Sequence, residues 1–258
     1  PLMTKTPHPR AIEAATKYFL IQAAASATIL FSSTINAWLT GEWTINNLSH
    51  PAANITLTLA LAMKLGLAPV HFWLPEVLQG LTLQTGLILS TWQKRAPMAL
   101  LIQLADTTNL ILLMTIGITS TLLGGWGGIN QTQLRKIMAF SSIAHIGWMV
   151  TVLKFAPNIS LLNLLIYLLM TTAMFTTMIS LTTKKISDLA TAWPKTPTLT
   201  ALSMLTLLSL GGLPPLSGFM PKWLIAQELI KQNLTAFATM ILLSTLLSLF
   251  FYLRLAYI

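Results

Sequence analysis

The sequence predicts an all-α integral membrane protein with about eight transmembrane helices, two of them broken. Apolar residues make up 54% of the 258-residue chain and charged residues only 8%, whereas a soluble domain carries roughly 25% charged residues. The mean hydropathy is +0.72. Apolar runs of about 20 residues, the length that crosses a bilayer, recur along the chain. We therefore interpret residues 1–258 as a single membrane domain.

Apolar runs and helix-breaking residues define the predicted helices in order. The helices are predicted near residues 13–34, 52–69, 82–105, 107–124, 135–153, 159–182, 198–230 and 234–257. Proline, glycine and asparagine at the connections end one run and precede the next. These residues are Gly41 and Pro51, the segment 124–128, Pro157 and Asn158, and Pro194 and Pro197.

The second and seventh predicted helices are interrupted. The seventh would be about 50 Å long at 1.5 Å per residue, against a hydrocarbon core of about 30 Å. Both contain Gly-Leu-x-Pro, at residues 66–69 and 212–215, which cannot sustain the helical hydrogen-bond ladder. Paired interrupted helices indicate a transporter with internal repeats. Aligning the two patterns places Glu76, and not Lys64, opposite Lys222.

The distribution of basic residues predicts the orientation in the membrane. Two lie on the side opposite residue 1, namely Lys154 and Lys231. Eight lie on the side of residue 1, namely Lys5, Arg10, Arg135, Lys136, Lys184, Lys185, Lys195 and Arg254. This asymmetry predicts that the N-terminal side faces the cytoplasm or its equivalent, the mitochondrial matrix.

Three lysines, Lys64, Lys94 and Lys222, lie inside predicted transmembrane helices. Each costs about 2.5 to 3.5 kcal/mol on insertion scales unless something compensates. Snorkelling of the side chain to the interface is the alternative for Lys64 and Lys222, and is less favoured for Lys94 at mid-helix. A buried lysine with a movable carboxylate can take up and release a proton near neutral pH. The lysines thus predict a proton-translocating or ion-translocating subunit.

Two histidines are candidates for the same relay because histidine titrates in the physiological range. His145 lies mid-helix in the polar string SSIAH, and His71 lies at the first break. A core histidine with satisfied hydrogen bonds is the alternative for each. Glu13 and Lys17, four residues apart, are interpreted as a structural helix pair.

Several function classes lack support. Cysteine is absent, which leaves no thiolate nucleophile, iron-sulfur ligand or disulfide. The nucleotide-binding and zinc-protease motifs are also absent, and we interpret the glycine-rich segment 124–128 as a turn. The net charge of +9 does not form a basic stripe with interleaved aromatics, so nucleic acid is not an expected partner.

Four strings in the sequence resemble the antiporter-like membrane subunits of mitochondrial respiratory complex I. They are AMKLGLAPVHFWLPEV, TWQK, GGINQTQLRKIMAFSSIAHIGW and LSLGGLPPLSGFMPKW. The resemblance implies inverted five-helix repeats, with residues 1–105 as the last three helices of the first repeat and 106–258 as the second. Lys64 and Lys222 match the broken-helix lysines of the two repeats, and Lys94 matches the lysine that links them. The chain would then be an internal fragment, with the carboxylate partner of Lys64 in a preceding segment.

The resemblance also implies a multi-pass protein of the mitochondrial inner membrane, in a hetero-oligomer with other complex I membrane subunits. The complex couples NADH-to-ubiquinone electron transfer to proton pumping. NADH, flavin, iron-sulfur clusters and ubiquinone are expected on partner subunits, and no cofactor is expected in this chain. The alternatives are a subunit of an Mrp-type cation/proton antiporter and a structural membrane scaffold.

One residue departs from the family pattern. Arg95 follows Lys94 at a position that is usually apolar in the family. It either faces another subunit or headgroups, or acts on the protonation of Lys94.

Overall fold

A computed structural model describes residues 2–4, 8–45 and 48–257, and Lys5 lies outside these residues. The described chain contains eleven α-helices. They are α1 (Pro9–Thr40), α2 (Pro51–Leu65), α3 (Trp73–Gly80), α4 (Leu83–Gln103), α5 (Leu110–Ile129), α6 (Leu134–Val152), α7 (Pro157–Ser180), α8 (Ile186–Ala190), α9 (Pro197–Gly211), α10 (Phe219–Lys231) and α11 (Thr235–Tyr257).

Proline starts four of these helices. Pro9, Pro51, Pro157 and Pro197 are the first residues of α1, α2, α7 and α9. Proline suits this position because the missing N–H has no intrahelical acceptor there. The first helix is longer at both ends than the predicted range 13–34, and the short helix α8 was not predicted.

Both predicted helix breaks are confirmed. Helix α2 ends at Gly66 (φ 77°) and α9 at Gly212 (φ 81°), each in the left-handed conformation that favours glycine. Each break contains a cis X-Pro bond, at Ala68-Pro69 and Pro214-Pro215. The chain then resumes as α3 and α10. The second half of the first broken helix therefore lies beyond the predicted range 52–69.

The interpretation of residues 124–128 as a turn is wrong, because this segment is helical and belongs to α5. Its glycines let neighbouring helices pack closely, as small residues do between membrane helices. A Cβ atom at Gly124 would lie 2.8 Å from the backbone nitrogen of Ala144 in α6, and one at Gly125 would lie 2.8 Å from Leu247 Cβ in α11. Because Gly124 and Gly125 have no Cβ atom, α5 can pack closely against α6 and α11.

Loop contacts bring most of the basic residues to one end of the bundle. Gln133 and Lys185 form an antiparallel bridge, the Arg135 guanidinium donates to the Leu81 carbonyl, and Arg254 Nη1 donates to the Ile129 carbonyl at 2.9 Å. At the other end, Lys154 Nζ donates to the Thr108 carbonyl at 2.8 Å. These contacts hold Arg135, Lys185 and Arg254 at the end of the bundle opposite Lys154.

Four of the described helices are individually long and apolar enough to cross a membrane, and α2 and α9 are shorter apolar helices. The four are α1, α5, α7 and α11. Apolar side chains of α2, α4, α5, α6 and α7 form the largest core cluster. The two broken helices, together with α4, α6 and α7, carry buried lysine, histidine, serine and threonine side chains.

Candidate functional site

Lys222 binds the end of the helix that precedes it in the sequence. It lies in the first turn of α10, is 9% exposed, and reaches back across the second break. Its Nζ donates to the carbonyls of Gly211 at 2.8 Å and Leu210 at 3.3 Å. These carbonyls are among the last of α9, which have no intrahelical partner, and the helix dipole favours a cation at this end. The break thus creates the binding site for the ammonium group.

Lys94 is the most deeply buried of the three lysines, at 3% exposure. From the middle of α4 its Nζ donates to the hydroxyl of Tyr167 in α7 at 3.3 Å. The same ammonium lies 5.4 Å from the centroid of the Tyr167 ring. The Tyr167 hydroxyl in turn donates to the Ser90 carbonyl at 3.2 Å. The hydroxyl group and the aromatic ring of Tyr167 therefore solvate this ammonium group.

His145 lies between these two lysines. It is 8% exposed, and its ring centroid is 5.5 Å from that of Tyr167. On its other side the imidazole lines a small cavity together with Leu210, whose carbonyl accepts from Lys222. Lys94, Tyr167, His145, the Leu210 carbonyl and Lys222 are thus successive neighbours, which we call the Lys94–Lys222 row.

Lys64 lies at the other side of Lys94 and is half-buried. Lys64, Lys94, Gln22 and Gln93 share the lining of a small cavity of about 10 Å³, which is about the volume that one water needs. The Lys64 carbonyl accepts from Gln22 Nε2 at 3.5 Å. At each break, the backbone carbonyl two residues before the glycine accepts a hydrogen bond from a side chain. The Lys64 carbonyl accepts from Gln22 before Gly66, and the Leu210 carbonyl accepts from Lys222 before Gly212.

His71 occupies a different environment from His145. It is buried in the first break, where its ring lies 4.2 Å from that of Phe72. Its Nδ1 atom has no hydrogen-bond partner among the described residues. The structure does not bring His71 into the Lys94–Lys222 row.

The carboxylates lie apart from the three lysines. Within the described residues, the ion pairs join Lys17 to Glu13 at 2.5 Å, Lys17 to Glu76 at 2.7 Å, and Lys231 to Glu228 at 3.5 Å. Glu13, Lys17 and Glu76 line a polar cavity of about 330 Å³ with Arg10 and Lys136. The described part of the chain therefore supplies no ion-pair partner to the lysines of the row.

Sequence reasoning missed Tyr167, the residue that joins Lys94 to His145. Its string LLNLLIYLLM is apolar apart from Asn163 and the tyrosine, and a buried tyrosine hydroxyl usually has a hydrogen-bond partner. That signal was present in the sequence, but it does not reveal which helix the hydroxyl contacts.

Among the described residues, no cluster of three or more His, Cys, Asp or Glu side chains could hold a metal ion.

Comparison with known proteins adds independent information. The family described as NADH:quinone oxidoreductase/Mrp antiporter, TM matches residues 2–248. NADH-ubiquinone oxidoreductase chain 2 of Xenopus laevis is 68% identical over 258 residues, which are 100% of this chain and 75% of that protein. Chain 2 of Salmo salar is 65% identical over 257 residues, or 100% of this chain and 74% of that protein.

Two solved structures share the fold. A chain of respiratory complex I from Thermus thermophilus with bound aureothin matches with a TM-score of 0.90 and 30% identity, covering 99% of this chain and 61% of that chain. A chain of the Mrp complex from Dietzia sp. DQ12-45-1b matches with a TM-score of 0.84 and 19% identity, covering 96% of this chain and 50% of that chain. This chain therefore spans less than two thirds of either solved chain.

Proposed function

Since the chain belongs to the NADH:quinone oxidoreductase/Mrp antiporter membrane family, we propose that it is a proton-translocating membrane subunit of respiratory complex I. The Lys94–Lys222 row carries this proposal. It joins two buried lysines through a tyrosine and a histidine. Buried ionisable groups in membrane helices commonly mark proton and ion pathways.

The solvation of the two lysines supports proton transfer. An ammonium group held by a carboxylate is stabilised in its charged form and releases its proton reluctantly. Within the described residues, Lys94 and Lys222 instead bind a neutral hydroxyl and backbone carbonyls. These partners solvate the charged form without an opposing full charge, so a lysine of the row can exist with or without its proton.

The row also provides a means of coupling its two ends. Two buried cations repel each other, so protonation of one lysine disfavours protonation of the next. A change at Lys94 would then shift the proton occupancy of Lys222, with His145 between them. A cavity of about 10 Å³ beside His145 is lined by Asn163 and Ser209 and has about the volume that one water needs. We expect water there to extend the path.

The same proposal covers location and partners. The subunit lies in the mitochondrial inner membrane with its N-terminal side, rich in basic residues, towards the matrix. Residues 1–105 and 106–258 belong to two inverted repeats, each with one broken helix. Other membrane subunits of complex I and the lipid bilayer surround it, and NADH, flavin, iron-sulfur clusters and ubiquinone are bound by partner subunits. Electron transfer on those subunits drives the protons here.

Proton pumping by the assembled complex tests the proposal. Lys94→Met or Lys222→Met should reduce the number of protons moved per NADH oxidised and the coupled turnover, while leaving assembly largely intact. The control is Lys195→Met, which removes an exposed lysine in the loop between α8 and α9 and should leave pumping unchanged.

The two alternatives give different results. If the chain were a structural scaffold, both membrane variants would pump normally whenever they assembled. If it worked as an Mrp-type antiporter, replacing sodium by a large organic cation would stop transport. The identity of 68% to a complex I chain favours transport of protons over transport of sodium.

A further inference from the structure

Arg95 is an exposed cation near the middle of α4, a helix that the sequence predicts to cross the membrane. It is the residue after Lys94 in α4, and unlike Lys94 its side chain points out of the bundle. At 1.5 Å per residue, it lies about 18 Å from the start of α4 and about 12 Å from its end. Charged residues in membrane helices nearly always face the bundle interior, a water-filled cavity or a partner.

The conformation of Arg95 does not bring its charge towards the nearer end of α4. The guanidinium carbon lies 4.7 Å from the centroid of the Trp92 ring, one turn towards the start of α4. The side chain thus points to the more distant end of the helix. Snorkelling, by which long cations reach the headgroups, would require the opposite direction.

The surroundings of Arg95 differ from those of a lipid-facing surface. The exposed face of α4 combines Trp92 and Arg95 with the small residues Ala96 and Ala99. Helix α11 follows the second broken helix as α4 follows the first. Its exposed residues include Leu242, Leu243, Leu246 and Phe250, which are large and apolar, as lipid contact requires. Small side chains let helix backbones approach each other closely, so the face of α4 suits a protein.

We propose that the face of α4 formed by Trp92, Arg95, Ala96 and Ala99 docks a membrane helix of a partner subunit that carries an aspartate or glutamate at the depth of Arg95. Charge complementarity defines this occupant, because Arg95 has no carboxylate within the described ion pairs. The carboxylate accepts from the guanidinium, while the two alanines allow the helices to approach.

Assembly of the complex tests the charge pairing. Arg95→Leu leaves the partner's carboxylate unpaired within the membrane, so the fraction of this chain retained in the complex under increasing detergent should fall at least twofold. Arg95→Lys keeps the charge and should retain most of the association. Retention by Arg95→Leu equal to that of the unchanged complex would overturn the proposal.

Photo-crosslinking from Ala99 in the intact complex identifies the occupant, with the same probe at Leu243 of α11 as the control for capture of lipid. We expect Ala99 to capture a peptide of another subunit, with an aspartate or glutamate inside an apolar segment. Capture of lipid alone, of this same chain, or of a peptide without such a carboxylate would overturn the proposal.

Discussion

At the scale of single residues, the main feature is that Lys94 and Lys222 are solvated by neutral groups. Each cation at mid-membrane would cost about 2.5 to 3.5 kcal/mol without compensation. Backbone carbonyls compensate Lys222, and the Tyr167 hydroxyl compensates Lys94. Lys17, by contrast, contacts two carboxylates near the start of α1. The chain thus contains ammonium groups in two distinct electrostatic settings.

Tyr167→Phe should reduce pumping in the assembled complex. The substitution removes the hydroxyl that accepts from Lys94 and donates to Ser90, while it keeps the ring beside His145. We expect several-fold fewer protons moved per NADH oxidised, measured as acidification of vesicles that contain the complex. Tyr257→Phe, at a tyrosine that is 86% exposed, is the control. Equal values for the two variants would remove the hydroxyl from the pathway.

The candidate residues could be predicted from the sequence because they break a simple pattern. Lys64, Lys94 and Lys222 stand out in apolar helices, where charge is costly. Their contacts could not be predicted, since the partner of Lys94 is 73 residues away and that of Lys222 is a backbone carbonyl. The sequence also treats His71 and His145 alike. Only the packing of α6 against α7 and α10 places His145 between the lysines.

At the scale of helices, each break has a defined conformation. Gly66 and Gly212 end α2 and α9 in the left-handed backbone conformation. This conformation costs a residue with a Cβ atom about 1 to 2 kcal/mol. At the second break the glycine also leaves room for Lys222. A Cβ atom on Gly212 would lie 2.8 Å from Lys222 Nζ.

Gly212→Ala should therefore affect pumping more than Gly41→Ala. Gly41 ends α1 with φ 77°, but a Cβ atom there would meet no atom within 4 Å. Both variants should lose about 1 to 2 kcal/mol of stability, measured as the thermal stability of the complex. Gly212→Ala should additionally displace the Lys222 ammonium and lower proton pumping. Similar pumping by the two variants would argue against a functional position for Lys222.

The local stability of the segment at the start of α8 should depend on pH. The backbone N–H groups of Lys185 and Lys184 donate to Asp188 Oδ2 at 2.9 and 3.0 Å, and they lower the pKa of this carboxyl below its usual range. A carboxyl with a lowered pKa contributes stability above its unfolded pKa of about 3.9. This contribution is lost as the pH falls through the folded value.

Amide hydrogen exchange at Lys184 and Lys185 measures this effect. Protection at both amides should decrease at acid pH in the unchanged chain. Asp188→Asn should have low protection already at neutral pH and no corresponding acid transition. If the acid transition persisted in Asp188→Asn, the Asp188 carboxylate would not be its origin.

Helix positions were easier to predict than helix ends. Apolar runs located every long helix, and Gly-Leu-x-Pro located both breaks, because each reflects a local requirement for burial or for a hydrogen bond. The segment 124–128 was misassigned because glycine serves two purposes. It usually marks turns, but in α5 it permits close contact with α6 and α11, which depends on partners distant in sequence.

At the scale of the whole molecule, two broken helices lie on either side of a buried polar connection. Lys64 belongs to the first, Lys222 to the second, and Lys94 lies between them on α4. Basic residues gather at one end of the bundle. The family relationship and this arrangement together support a subunit that moves protons within the membrane and passes electrostatic changes along it.

A double-mutant cycle on proton pumping tests whether Lys94 and Lys222 belong to one proton path. Lys94→Met, Lys222→Met and the double variant would be compared in the assembled complex as protons moved per NADH oxidised. If both lysines serve one connected path, the double variant should lose little more pumping than the more severe single variant. The reason is that the effects of substituting residues that act as a unit are not additive. Independent, fully additive losses, or normal pumping by both single variants, would contradict the account.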